Sequence, residues 1–345
     1  MEGARRGAAT AQGPINEEFT VHYWKDLADV PRGFGPSVVT LGNFDGVHRG
    51  HQQVLRRLVE TAAAREAQAV AISFDPHPSQ VHRPDAAPQL IMGLEDRVEA
   101  LAASGLDGLL MMTYTLELAG ETPEQFVRNV FVETLGATAV VIGHDTRFGK
   151  NNAGDVTTMQ ELGRQFGFAV EVVDEYEAEA DADGGADGSR RCSSSWVREA
   201  LAAGDVAMAA EVLGRTHRMR GEVVHGDARG RELGFPTANL SKHSSGLIPA
   251  DGVYAGWLVD QRGTRWPAAI SVGSNPTFEG ASRRVEAHVI DRPQGSTDDF
   301  DLYGQQVVVE FVQRLRGMVA YTGPEALIAQ MHDDVARTRS LLSTD

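Results

Sequence analysis

Cysteine is nearly missing from this sequence of 345 residues. Cys192 is the only one, so no disulfide can form within the chain, and this composition favours a reducing cytoplasm. For Cys192, a small structural residue is a better interpretation than a nucleophile. The sequence also lacks any apolar run near the ~20 residues that a membrane span needs, so we expect no membrane partner.

Positive charge is scarce as well. The chain has 32 lysines and arginines against 48 aspartates and glutamates, which gives a formal net charge of −16. So acidic a chain is not expected to bind nucleic acid. If it handles phosphates, it must gather positive donors or a metal ion in local pockets. Residues 1–18 lack the apolar core of a signal peptide, and we expect a disordered tail there.

Strand and helix signals alternate through the first half of the chain, where we expect a domain at residues 19–204. Short apolar runs predict strands at 37–41, 69–74, 109–112, 139–143 and 169–173. Helical patterns separate these runs, which predicts the parallel sheet of a Rossmann-like α/β domain. Ligands of such domains bind at the carboxyl ends of the strands. We therefore expect residues 43–51, 75–78 and 143–149 to meet in one cleft.

Several local signals refine this picture. Thr122, Pro123 and Gln125 have the pattern of a capping box at a helix start. Pro76 and Pro78 predict a loop after the 69–74 strand. Residues 175–189 are acidic and glycine-rich, and we expect a mobile surface loop there.

The second half has a different pattern, which predicts a domain at 216–345 after a helical linker at 205–215. Strands are predicted at 221–224, 252–259, 268–272, 285–290 and 307–312. Glycine, proline and aspartate turns separate them, which favours an antiparallel β-barrel or sandwich. One C-terminal helix follows, with a capping box from Thr322 to Glu325. Its expected apolar stripe is Leu327, Ile328, Met331 and Val335.

A glycine-rich turn runs from Gly42 to His51, between a predicted strand and an amphipathic helix. Free backbone N–H groups and the positive end of a helix dipole make such a turn suited to an anion. His48 and His51 add donors that can carry charge near neutral pH. We interpret the turn as a phosphate site. A zinc pair and two surface histidines are the alternatives, and zinc has no suitable third ligand nearby.

A second motif lies in the second half, where Gly226 and Gly234 flank a segment that leads into Pro236-Thr237-Ala238-Asn239. The glycines permit a tight loop over a nucleotide. Thr237 and Asn239 lie two residues apart, so in an extended segment their side chains share one face. A hydroxyl and an amide oxygen are suitable ligands for Mg²⁺. The alternative is a proline turn with local side-chain hydrogen bonds.

Together these motifs resemble the bacterial bifunctional riboflavin kinase/FAD synthetases. The resemblance covers about residues 20–342 and rests on segments in the expected order. Those segments include residues 48–51, 74–78, 143–149, 193–198, 236–239, 249–256, 271–277 and 285–291. The family usually has threonine at Ser195 and an aromatic residue at Thr146, and His144 is also a departure. The resemblance implies a nucleotidylyltransferase domain followed by a riboflavin kinase barrel.

The resemblance also implies a role for each matched position. Catalytic residues would be His48, His51 and Arg198 for adenylyl transfer and Glu286 as the base of the kinase. ATP would be bound by Gly42, Asn43, Asp45, Gly50, Ser194 and Ser195 in the first site and by Gly226, Gly234, Thr237 and Asn239 in the second. Flavin would contact Asp75, Pro76, His77, Asp145, Tyr254 and Arg316. Thr237 and Asn239 would hold Mg²⁺.

The function so implied is a two-step synthesis of flavin cofactors. Riboflavin would be phosphorylated by ATP to FMN, and FMN would then be adenylylated by a second ATP to FAD with release of pyrophosphate. Two alternatives stay open: an enzyme with only the kinase site active, and a non-catalytic flavin-sensing or carrier protein. We expect small-molecule substrates, a cytoplasmic location and a possible homo-oligomer.

Overall fold

The structure is a computed structural model that describes residues 21–179, 189–226, 234–274, 283–291 and 301–343. These residues form two units. The N-terminal unit contains residues 21–43, 53–86 and 98–174, and the C-terminal unit contains 44–52, 87–97 and the described residues from 175 onward. The expected tail at 1–18 lies outside the described residues, and the domain boundaries drawn from the sequence stay predictions.

A six-stranded parallel sheet forms the N-terminal unit, with strand order β1-β4-β3-β2-β5-β6. The strands are β1 His22–Trp24, β2 Ser37–Leu41, β3 Gln68–Asp75, β4 Gly108–Thr113, β5 Ala137–Gly143 and β6 Ala169–Val173. All five residues of β2 are buried, because a parallel sheet is covered on both faces and needs a continuous apolar run. The predicted Rossmann-like fold is confirmed, and the short edge strand β1 was missed.

Helices separate these strands. They are α1 Arg49–Ala64, α2 Pro78–His82, α3 Leu94–Ala102, α4 Pro123–Phe126, a π-helix at Val127–Thr134 and α5 Val156–Phe166. Single 3₁₀ turns lie at Leu27–Asp29, Pro84–Ala86, Leu118–Gly120 and Lys150–Asn152. The capping box of Thr122 and Gln125 is confirmed. Pro78 does not extend a loop as expected: it occupies the first turn of α2, where a missing N–H costs nothing.

A closed antiparallel barrel forms most of the C-terminal unit, with strand order β10-β13-β12-β11-β14-β9. Its strands are β9 His217–Val224, β10 Ala238–Leu240, β11 Gly252–Val259, β12 Arg265–Ser274, β13 Arg283–Val289 and β14 Gln306–Arg316. Buried and less buried residues alternate along β9 and β13, as expected where only one face of a sheet is covered. The barrel alternative is confirmed. The three-residue strand β10 was missed because it is shorter than any pattern window.

Two strands and two helices precede the barrel in the C-terminal unit. The strands β7 Glu177–Glu179 and β8 Ser189–Arg191 pair antiparallel, so the expected loop at 175–189 is wrong at both ends. Helices α6 Ser194–Ala203 and α7 Val206–Leu213 follow, each ended by a left-handed glycine. The buried side chains of α7 join the core of the barrel: they are Val206, Ala209, Val212 and Leu213.

The C-terminal helix α8, Pro324–Leu342, begins differently from the prediction. Gly323 is its N-cap, and no side chain caps the helix, so the Thr322–Glu325 capping box is wrong. Its buried residues are Asp334, Thr338 and Leu342, whereas the four members of the predicted stripe are only half-buried. Asp334 pairs with both Nε and Nη2 of Arg316 on β14, at 3.0 and 2.7 Å. This ion pair attaches the helix to the barrel.

No helix in the described part of the chain combines the length and the apolar character that crossing a membrane requires.

His217 at the start of β9 gives the C-terminal unit a testable pH dependence. The side chain is buried, and burial lowers its pKa to about 4 from the ordinary value of 6.5. As the pH falls from about 6.5 to 4, the unfolded chain takes up a proton that folded His217 refuses. We expect the free energy of unfolding to fall by roughly 3 kcal/mol over this window from His217 alone.

His217→Gln tests this because an amide can still donate to Leu247 O, as Nε2 of His217 does at 2.7 Å. Urea unfolding at several pH values measures the number of protons bound when the chain unfolds. Near pH 5 this number should be smaller by about one in His217→Gln than in the wild type. The same exchange at the exposed His243 is the control for losing an imidazole. A wild-type pH slope in the His217→Gln variant would contradict the account.

Candidate active sites

The motif that follows β2 forms a strained turn, which we call the histidine turn and define as residues 44–52. Phe44, Gly46 and Val47 all adopt the left-handed region, with φ of 49°, 87° and 40°. A β-branched residue such as Val47 is rarely found there. Each such non-glycine residue costs about 1–3 kcal/mol, and it persists only where the surroundings hold it in place.

Asp45 is one of the groups that hold this turn. Its carboxylate is 3% exposed and accepts the backbone N–H of Ile91 at 3.0 and 3.2 Å. Nη2 of Arg198 donates to the same carboxylate at 2.5 Å, and Ser194 Oγ donates to Asp45 O at 2.8 Å. Burial raises the pKa of Asp45, and the positive charge of Arg198 opposes that rise. The carboxylate of Asp45 is thus engaged within the protein.

Three of the predicted phosphate ligands therefore have partners that the sequence did not indicate. Arg198 binds Asp45 and also donates from Nε to Gln89 O at 3.0 Å. Ser194 binds the turn backbone, whereas Ser195 in the first turn of α6 is exposed. In the structure Asp45, Ser194 and Arg198 shape the turn.

The rings of His48 and His51 stack, with centroids 3.6 Å apart and planes 24° apart. Gly50 allows this packing, since a Cβ there would lie 3.2 Å from the ring of His48. His48 is buried, and Nδ1 of His51 is buried with no hydrogen-bond partner among the described residues. The alternative of two surface histidines is therefore wrong.

The electrostatics of His51 also differ from the expectation of a charged donor. Burial lowers its pKa well below 6.5, and the positive charges of His48 and Arg215 add to the effect. His51 is therefore neutral at pH 7, and a bound polyanion would raise its pKa by favouring the imidazolium form. As for the zinc alternative, no group of three His, Cys, Asp or Glu side chains in the described ranges is placed to hold a metal ion.

The N-terminal unit contains a pocket of about 520 Å³ at the carboxyl ends of its strands. Aromatic rings line it. The rings of Phe74 and Tyr114 make an edge contact, with their centroids 5.3 Å apart. The lining residues are Leu41, Asn43, Phe74, His77, Pro78, Ser79, His82, Arg83, Tyr114, Leu118, Ala119, Phe126, Arg147, Phe148, Gly149, Asn151 and Asn152. Members of all three predicted strand-end segments thus line one pocket.

Among the residues of this unit that were predicted to bind substrate, two line the pocket. They are Asn43 and His77. Gly42 lies at the strand end, where its N–H donates to Ile72 O at 3.1 Å. The lining does not include Asp75, Pro76 or Asp145, and Asp145 is exposed. Arg83 and Arg147 were missed, although Arg147 lies within the 143–149 motif that drew attention.

His77 has a defined protonation form in this pocket. Its Nδ1 accepts the backbone N–H of Ser79 at 3.2 Å, as the N-cap of α2. In the neutral ring the proton is then on Nε2, and the side chain lines the pocket.

The barrel gathers a second set of predicted residues, which we call the barrel cluster: Thr237, Asn239 and Glu286. Strand β10 pairs with β13 so that Asn239 lies opposite Glu286. Asn239 Nδ2 donates to Thr237 Oγ1 at 3.3 Å, and Thr237 Oγ1 donates to Glu286 Oε2 at 3.5 Å. A Cβ at Gly226 would lie 2.5 Å from Asn239 Oδ1, so only glycine leaves room for this amide.

The remaining predicted barrel residues have other surroundings. Tyr254 is completely buried among core side chains, and its hydroxyl donates to Ala250 O. A contact between Tyr254 and flavin stays a prediction. Arg316 is engaged with Asp334. Gly234 has φ of 87°, which explains the glycine there. Residues 230–233 and 275–282, which carry other parts of the motifs, lie outside the described residues.

Comparison with known proteins finds two family models that match successive parts of the chain. The model of the FAD synthetase family matches residues 32–182, and that of riboflavin kinase matches residues 213–342. The chain is 34% identical over 305 residues to the bifunctional riboflavin kinase/FMN adenylyltransferase of Pseudomonas fluorescens, with 88% of this chain and 92% of that one covered. This chain belongs to that family. The resemblance found in the motifs is thus confirmed.

Other members of the bifunctional riboflavin kinase/FMN adenylyltransferase family show similar agreement. The protein of Listeria monocytogenes is 32% identical over 333 residues, with 95% of this chain and 97% of that one covered. Among solved structures, one titled macrolide-efflux protein from Streptococcus pneumoniae superposes with a TM-score of 0.78 at 30% identity. It covers 93% of this chain and 99% of its own. The family fold therefore extends over nearly the whole chain.

The neutral state of His51 can be tested directly by NMR of the histidine ring carbons. We expect the resonance that disappears in His51→Gln to titrate well below pH 6.5, because burial disfavours the imidazolium. Pyrophosphate should move that titration to higher pH, because an anion favours the charged ring. A His51 resonance that titrates at about 6.5 and ignores pyrophosphate would contradict this view of the site.

Proposed function

We propose that the barrel transfers the γ-phosphate of ATP to riboflavin. The observation that carries this proposal is the convergence of Thr237, Asn239 and Glu286. The terminal hydroxyl oxygen of the ribityl chain attacks the γ-phosphorus, the bond from that phosphorus to the β-bridging oxygen breaks, and ADP leaves. Glu286 accepts the proton of the attacking hydroxyl as general base.

Mg²⁺ is part of this proposal, and the donor set is consistent with it. Thr237 and Asn239 would hold the ion, since hydroxyl and amide oxygens are hard ligands and Mg²⁺ needs few protein ligands when ATP oxygens and water complete its shell. Bound Mg²⁺ would neutralise phosphate charge. The chain itself fixes the positions of these two side chains. Asn239 lies on β10 and Thr237 directly precedes that strand. The pairing of β10 with β13 sets Asn239 opposite Glu286.

We propose that the second reaction, adenylyl transfer to FMN, depends on the histidine turn. An oxygen of the FMN phosphate attacks the α-phosphorus of a second ATP, and pyrophosphate leaves. The phosphate nucleophile is largely deprotonated at pH 7, since its second pKa is about 6, and needs no general base. His48, His51 and the N–H groups of the turn would therefore act as donors that stabilise growing negative charge. Further help in shaping the turn or in binding the phosphates of ATP would come from Gly50, Ser194 and Ser195.

We assign the aromatic pocket of the N-terminal unit to FMN. Phe74, Tyr114, Phe126 and Phe148 offer apolar and aromatic walls suited to a flat isoalloxazine ring. Arg83 and Arg147 would favour the phosphate of FMN over uncharged riboflavin. The Nε2–H of His77 would supply a further donor. Asn43 belongs to the same lining.

The two alternatives make different demands on the chain. An enzyme with only a kinase site would not need the strained histidine turn, with its buried imidazoles and its Asp45–Arg198 pair. A carrier would not need a carboxylate beside Thr237 and Asn239. Of the departures, Ser195 keeps the hydroxyl of the threonine that the family usually has at this position. A cytoplasmic location and a homo-oligomer stay predictions.

The roles of Glu286 and His48 predict opposite losses. Glu286→Gln should lower FMN formation from riboflavin by ~10²-fold or more and leave FAD formation from supplied FMN near wild type. His48→Ala should do the reverse. Flavin separation after incubation with ATP and Mg²⁺ measures both rates in one assay.

Each variant is the control for the other, because both keep the whole chain. Survival of kinase activity in Glu286→Gln would remove Glu286 as the base. Equal loss of both activities in either variant would indicate misfolding or coupled sites. FMN that accumulates in the wild type without any FAD would support the kinase-only alternative.

A further inference from the structure

Arg215 contacts the histidine turn, although no motif of either reaction contains it. It lies between α7, which ends at Leu213, and β9, which begins at His217. Its guanidinium divides its donors between two successive peptide groups of the turn. Nη2 donates to Gly46 O at 2.6 Å, and Nη1 donates to Val47 O at 3.1 Å. Nη1 also donates to Leu213 O at 3.3 Å.

These two bonds fix the direction of the turn's backbone. In a trans peptide the carbonyl oxygen and the following N–H point in opposite directions. When the carbonyls of Gly46 and Val47 both face Arg215, the N–H groups of Val47 and His48 face away from it. The N–H of Val47 donates to Phe44 O at 3.0 Å within the turn. The peptide between Val47 and His48 is therefore the one whose positive dipole end is held toward the side opposite the guanidinium.

The turn needs such a restraint because its backbone is strained. Val47, with φ of 40°, has no local preference for this conformation. Gln52 Nε2 supports it by donating to Val47 O and to Leu213 O, both at 2.8 Å. Gln52 thus holds one of the two carbonyls. Arg215 holds both, since it donates to Gly46 O and to Val47 O.

The charge of Arg215 adds to this effect. Burial, with the positive charge of Arg218, lowers its pKa to about 10, so the group is still protonated at pH 7. Its positive charge also contributes to the lowered pKa of His51, which indicates that its field extends to the imidazole. An anion bound at the turn would gain from both the dipole and the charge.

We propose that Arg215 is a positioning residue for adenylyl transfer, which holds the Gly46 and Val47 carbonyls so that the histidine turn presents its donors to the phosphates of ATP. The proposal rests on the assignment of the turn to ATP in the second reaction. Arg215 need not touch ATP for this role. It acts through the turn, from a position two residues before the first strand of the kinase barrel.

The experiment compares Arg215→Met, Arg215→Lys and the matched control Arg220→Met. Arg220 is also a partly buried arginine, but it binds Asp96 at 2.9 Å. In Arg215→Met we expect kcat/KM for ATP in FAD formation to fall by roughly 10²-fold, the scale of a small misplacement of catalytic groups. KM for ATP in that reaction should rise, while kcat and KM of riboflavin phosphorylation on the same chain stay within twofold.

Arg215→Lys should recover part of the loss, because an ammonium keeps the charge and donates but lacks the fork that spans two carbonyls. Arg220→Met should leave KM for ATP in FAD formation unchanged. A merely structural role would lower the amount of active protein and both activities together, with KM for ATP unchanged, and that result would overturn the proposal. Wild-type FAD formation in Arg215→Met would also overturn it.

His48→Ala, measured in parallel, separates this inference from the proposal beneath it. If His48→Ala abolishes FAD formation and Arg215→Met does not impair it, the turn is the ATP site and Arg215 does not position it. If His48→Ala leaves FAD formation intact, the assignment of the turn itself fails, and the role of Arg215 fails with it.

Discussion

The buried ion pair between Asp45 and Arg198 is the contact on which the histidine turn depends. It joins residues 153 positions apart, and the carboxylate also accepts the Ile91 N–H. Removing one partner of a buried pair typically costs 3–5 kcal/mol, because a charge is left buried without compensation. That is comparable to the strain of Phe44 and Val47, about 1–3 kcal/mol each. The ion pair and the Arg215 bonds together explain how a conformation without local support persists.

Under the proposed assignments, a chain of net charge −16 binds phosphate in two different ways. The histidine turn offers backbone and imidazole donors on a strained backbone that other segments hold in place. The barrel cluster offers oxygen atoms on regular strands, where register alone sets Asn239 opposite Glu286. The first solution depends on long-range contacts, and the second depends on strand pairing and on the small size of Gly226.

The sequence predicted the parts of the fold that repeat a periodic pattern. The apolar runs of β2 to β6 and the alternation of the barrel strands were sufficient for both fold classes. It failed at β10 and at the start of α8, where Gly323 rather than Thr322 precedes the helix. Capping and short strands depend on tertiary contacts, so a local pattern does not determine them.

The candidate sites follow the same division. His48, His51, Thr237 and Asn239 stand in motifs whose spacing suggests phosphate chemistry, whereas Glu286 was assigned through the family resemblance, and the roles of all five stay proposals. The burial of Tyr254 was not predicted, because a tyrosine in a matching segment does not reveal whether its ring is buried. Arg83 and Arg215 were missed, since neither stands in a motif and each acts through contacts distant in sequence. The roles of Asp45 and Arg198 in shaping the turn rest on a contact between residues 153 positions apart, which no local pattern contains.

The central claim is that one chain carries two separate phosphate-transfer sites, one acting on the γ-phosphate of ATP and the other on its α-phosphate. Incubation of the full chain with riboflavin, Mg²⁺ and ATP labelled at either position tests this claim most directly. The γ label should enter FMN and the FMN half of FAD, and the α label should enter FAD alone, in its AMP half. An α label in FMN, or FMN with no FAD from either ATP, would contradict the account.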